Sequence, residues 1–111
     1  MASSPDLPIV AFATRSQLRA WLRTNHAISP GIMVQLFKKS SGIESVSFQD
    51  VLEEGLCFGW SESMRLPGDA HFYLQKFTPR RSKGTTSVRN TRLVAELERQ
   101  RLMTDAGRAV L

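Results

Sequence analysis

The chain has 111 residues, of which 41% are hydrophobic and 23% charged, with a formal net charge of +5. That composition is globular and excludes disordered, collagen-like and membrane-spanning classes, and the length suits a single domain over residues 1–111 with one core. No apolar run approaches the roughly 20 residues a bilayer crossing needs, and the start, Met1 to Asp6, lacks the basic and apolar regions of a signal peptide. One cysteine, Cys57, leaves no intramolecular disulfide to form and fits a reducing, cytoplasmic compartment as a buried thiol.

In chain order, residues 8–13 read as a first strand. Thr14 and Gln17 form a capping-box pattern, and the helix they open sets Leu18, Trp21 and Leu22 on one face. Ser29-Pro30-Gly31 is a turn. Residues 32–37 form an almost unbroken apolar run, the pattern of a strand covered on both faces. Ser47 is the N-cap of a second helix, with Asp50 placing negative charge in its first turn. On that helix Phe48, Val51, Leu52, Gly55 and Leu56 share a face, Gly55 allows close backbone approach, and Glu53 and Glu54 point away.

Residues 61–66 and 71–77 then read as a hairpin joined across Pro67-Gly68-Asp69. Residues 78–86 form a basic loop, with Phe72 expected in the core. Thr86 or Ser87 caps a third helix reaching about Leu102, with Leu93, Val94 and Leu97 inward and Arg89, Arg92, Glu96 and Arg99 outward. Thr104-Asp105 opens a last short helix over 106–111. The fold class is α+β, a small mixed or antiparallel sheet with packed helices in the order β-α-β-α-β-β-α-α.

Charge is unevenly spread. Residues 1–74 balance to −1 and residues 75–111 to +6, with six basic residues and no acid between Lys76 and Arg92. Such a segment points to an anionic partner: a small molecule, an acidic protein surface, or nucleic acid. Arg80, Arg81 and Lys83 precede a helix start, where free amides favour anions, and arginine adds two-pronged recognition of phosphate or carboxylate. Arg89 and Arg92 put positive charge in the first turns of the helix, a conflict that a bound anion relieves. The competing structural reading pairs Arg80 and Arg81 with Glu53, Glu54 or Glu62. Trp60 and Glu62 are expected on the wall of an adjoining cleft.

Other chemistries find less support. There is no P-loop, no nucleophile elbow joining Ser61 or Ser63 to His71, and no ligand spacing among His26, His71 and Cys57, so no metal or cofactor is expected. Phe72, Tyr73 and Phe77 are residue types that stack on bases, but no nucleic-acid motif accompanies them.

Three ordered motifs carry a family resemblance. Cys57-Phe58-Gly59-Trp60, then Phe77-Thr78-Pro79-Arg80-Arg81 with Ser87 and Asn90, then Leu102-Met103-Thr104-Asp105-Ala106-Gly107, together resemble the bacterial YdeI/OmpD-associated family, also labelled bacteriocin-protection proteins. Trp21-Leu22, Lys38-Lys39 and residues 47–54 extend the likeness upstream. The resemblance implies links to envelope stress, antimicrobial-peptide resistance and an outer-membrane porin. It implies no established reaction, and so no catalytic residues. Two positions depart from that pattern. Ser61-Glu62-Ser63 stands for the usual Ile-Asp-Gly, and Thr86 stands where members carry tryptophan. The expectation is a non-enzymatic binding module for an anionic ligand or partner. The alternatives are a nucleic-acid-binding protein, or an enzyme on a phosphorylated or carboxylated small molecule with Glu62 as base.

Overall fold

The computed structural model describes residues 7–80 and 88–110. Its elements are β1 (Ile9–Ala11), α1 (Arg15–Asn25), β2 (Ile32–Phe37), α2 (Phe48–Phe58), β3 (Trp60–Pro67), β4 (Phe72–Pro79), α3 (Val88–Arg99) and α4 (Asp105–Ala109), with a 3-10 turn at Lys39–Ser41. The order is the expected one, and the fold is α+β. The expected caps of α3, Thr86 and Ser87, and most of the basic loop lie outside the described residues.

Local sequence explains where the helices begin. The Thr14 side chain accepts the Gln17 amide, and Gln17 Oε1 accepts the Ala13 amide rather than that of Thr14. At α2 the box is fully reciprocal: Ser47 Oγ accepts from the Asp50 amide, and Asp50 Oδ2 accepts from the Ser47 amide. Thr104 caps α4 from one side only, its hydroxyl accepting the Gly107 amide. α3 stops at Arg99, short of Leu102. Arg101 adopts a left-handed conformation (φ 61°). The amides of Leu102 and Arg101 turn back onto the carbonyls of Leu97 and Glu98. This is a Schellman closure made without glycine.

The four strands form one mixed sheet in the order β1-β2-β4-β3. β1 runs parallel to β2, joined through α1, whereas β2–β4 and β4–β3 are antiparallel. Pairing of Ile32 with Phe77, Val34 with Gln75 and Leu36 with Tyr73 sets one sheet face. Ile32, Val34, Leu36 and Phe77 on that face join Leu18, Leu22, Val51, Leu56, Trp60, Leu97 and Met103 in one buried cluster. The helices therefore share one side of the sheet. Gly55 sits against it as expected, since a Cβ there would come within 2.9 Å of the Phe77 ring and the Trp60 carbonyl.

One expectation about the strands is refined and one is corrected. β2 carries no exposed residue, and its second side is covered in part: Met33 there is buried, whereas Gln35 and Phe37 are half-buried. Phe72 pairs in register with Phe37 on that same second side, and their rings meet edge to face at 5.8 Å. Phe72 is thus outside the core, because Tyr73, Gln75 and Phe77 occupy the core-facing positions of β4.

Candidate anion-binding surface

The hairpin β3–β4 brings Trp60, Glu62 and Arg80 to one end of the sheet. Trp60 lies opposite Pro79 and Glu62 opposite Phe77. The Arg80 amide then donates to the Gly59 carbonyl at 2.9 Å, which anchors the end of β4 to the exit of α2. Arg80 is half-buried, and its Nε is enclosed with no hydrogen-bond partner. Glu62, also half-buried, has an enclosed Oε2 with no partner. Arg92 is exposed on α3. The backbone of Arg89 belongs to α3, and Arg81 and Lys83 lie outside the described residues.

Trp60 does not line a cleft wall. It is 1% exposed, packs edge-on to Trp21 at 5.6 Å and beside Phe77 at 5.0 Å, and its indole N–H donates to the His26 carbonyl. A large ring following a helix exit fills the centre of the core and satisfies its single donor on the loop after α1.

Two of the three acids proposed as partners for Arg80, Glu53 and Glu54, are engaged elsewhere. Glu54 does not point away from the core: it is 1% exposed. It receives Arg15 Nε at 2.6 Å and Arg19 Nη1 at 3.0 Å, while Glu53 receives Arg15 Nη1 at 2.7 Å. Arg19 also donates through Nη2 to the Leu102 carbonyl at 2.6 Å and lies over the Phe58 ring. This cluster ties α1 and α2 to the segment before α4. Its signal in sequence is Arg15 and Arg19 one helical turn apart on α1, with the Glu53-Glu54 pair on α2. Among the described residues no ion pair joins Arg80 to Glu53, Glu54 or Glu62.

Cys57 adjoins the same cluster. It is a buried free thiol, and burial, followed by the Glu54 charge, pushes its pKa up against the opposing hydrogen bond with Arg19. It therefore lacks the lowered pKa of a nucleophilic cysteine.

The Ser and His candidates are kept apart, with Ser61 at the start of β3 and His71 just before β4, at opposite ends of the hairpin. Among the described residues no group of three or more His, Cys, Asp or Glu could hold a metal ion, and no helix is long and apolar enough to cross a membrane.

Comparison with family models places the chain in a family known only as a domain of unknown function, DUF8412, whose model matches residues 10–110. No curated protein and no solved structure matches the chain.

Proposed function

We propose that the protein is a non-enzymatic binding module whose basic segment, from Arg80 into the start of α3, recognises an anionic group on a small molecule or an acidic protein. The observation that carries this reading is the state of Arg80. Its guanidinium has an enclosed, unpartnered Nε, and Glu53 and Glu54 are already held by Arg15 and Arg19. A half-buried arginine without a carboxylate is short of an acceptor, and an anionic ligand supplies one. Arg92 adds exposed positive charge, and Arg81, Lys83 and Arg89 add theirs from the sequence. The likeness of the Arg80-Arg81 and Cys57–Trp60 motifs to the YdeI/OmpD-associated family accords with a binding role in envelope stress or antimicrobial-peptide resistance. It rests on those motifs alone.

Nucleic acid is the weaker partner. Phe77 is fully buried, and the Tyr73 ring lies 4.4 Å beneath the Arg65 guanidinium. Neither offers an open face for a base.

Titration of the isotopically labelled protein with phosphate, nucleotides and short oligonucleotides tests the proposal. Amide shifts are expected at Arg80 and along 88–92 with phosphate-bearing ligands. Silence with every anion at low salt would refute the reading. A preference for oligonucleotides that falls steeply with salt would replace it with nucleic-acid binding.

A further inference from the structure

The side of the sheet away from the helices is apolar and only partly covered among the described residues, although Met33 on it is 8% exposed. Register and alternation place Ile9, Met33, Phe37, Phe72, Leu74 and Leu66 there. Ile9 is 59% exposed and Leu66 37% exposed, and Met64, beside the β3 irregularity, is 52% exposed. Exposed apolar residues on the two edge strands, with half-buried Phe37, Phe72 and Leu74 on the strands between them, make a wider apolar face than scattered single exposure does.

One charged residue belongs to this side of the strands. Lys76 pairs in register with Met33 in the interior of the sheet, is half-buried, and among the described residues makes no ion pair. Glu62 lies on the opposite face, in register with Phe77. Whatever covers the sheet must cover the Lys76 ammonium too, and burying an unpaired charge is costly. The occupant therefore has to bring a carboxylate.

We propose that this face docks an amphipathic helix of a partner protein, with its apolar stripe across the strands and an acidic residue placed against Lys76. A helix is the element that adds a third layer to an open sheet face. Four strands about 4.8 Å apart present a width that three to four helical turns span. A second copy of this chain fits poorly, because two-fold packing sets Lys76 near its own equivalent and joins two chains of +5 charge. An anionic bilayer supplies charge, but inserting this face would carry Gln35 and Thr78, which share it, below the headgroups. The inference is independent of the anion site, which lies at the end of β4.

The test uses the labelled full chain and three probes. These are a synthetic helix of about 18 residues with leucines on one face flanked by glutamates, the same helix flanked by lysines, and phosphatidylglycerol vesicles. The glutamate helix should shift amides of Ile9, Gln35, Leu74 and Lys76, and the lysine helix should bind at least about fivefold more weakly. Lys76→Glu should reverse that preference. Leu66→Ser, at an exposed edge position, should weaken both helices, and a well-dispersed spectrum of each variant shows that it folds. No shift with either helix, equal affinity for the two, or a response to vesicles alone overturns the proposal. So does concentration-dependent self-association that shifts the same amides without a probe.

Discussion

Glu54 is the residue on which the helix packing turns electrostatically. It is nearly inaccessible and receives two guanidinium groups from α1. Removing one member of such a group leaves the others charged and poorly solvated. Glu54→Ala should therefore cost about 3 kcal/mol, the low end for a broken buried pair because Arg15 retains solvent contact. Urea denaturation measures this, and a loss under about 1 kcal/mol would show the cluster behaving as a surface ion pair. Cys57 responds to the same surroundings. Its thiol pKa is raised in the folded state, first by burial and then by Glu54. The folded chain thus keeps a proton that the unfolded chain releases near about pH 8.5. The stabilisation is complete below that pH and is lost as pH climbs toward the folded value. Stability should fall on the alkaline side, and Cys57→Ala should flatten that fall relative to the parent. Parallel slopes for the two proteins would contradict it.

At the scale of elements, what could be read from sequence was what is encoded locally. Thr14, Ser47 and Thr104 declare their helices through an oxygen three residues before the amide it accepts, so all three starts were legible. The end of α3 was not. Its closure uses Arg101 in a left-handed conformation, and no glycine marks it. Glu54 was misplaced because it lies one turn from Val51 at the border of the apolar stripe, and only the approach of α1 decides that it is buried. The reciprocal role of Asp50 was also missed, since a short acid at that position reads first as a charge at the helix start.

Close approach between elements yields a sharper prediction. A Cβ on Gly107 would come within 2.4 Å of the carbonyl oxygens of Leu56 and Cys57. α4 is seated on that end of α2, with Thr104 donating to the Cys57 carbonyl through both its amide and its hydroxyl. Gly107→Ala should cost about 1–3 kcal/mol, as overpacking does, and free α4 to exchange its amides faster. An unchanged denaturation midpoint would mean the two elements are not in close contact in solution. In the sheet, buried Gln75 donates to the Met64 carbonyl where the β3–β4 register shifts. Gln75→Leu should cost about 1–3 kcal/mol by leaving that carbonyl unpaired, measured in the same way.

Across the whole molecule, the sheet has two unlike sides and the charge two unlike halves. Strand order and the parallel pairing of β1 with β2 join residues more than twenty positions apart. Nothing local encodes them, so the apolar run of β2 suggested a strand enclosed on both faces, whereas its second face is covered only in part. The basic segment was plain in sequence because it is a matter of composition. Which acids compensate its arginines was not, because that depends on how α1 meets α2. With Glu53 and Glu54 committed to Arg15 and Arg19, Arg80 makes no ion pair with an acid among the described residues and is left to an anionic ligand. The most direct test of that role is Arg80→Ala, measured for both phosphate binding by amide shifts and thermal midpoint. The shifts along 88–92 should weaken while the midpoint stays the same or rises, since an unpaired, half-buried charge has been removed. A lowered midpoint in a protein that bound no anion before the substitution would contradict it and make Arg80 a structural residue.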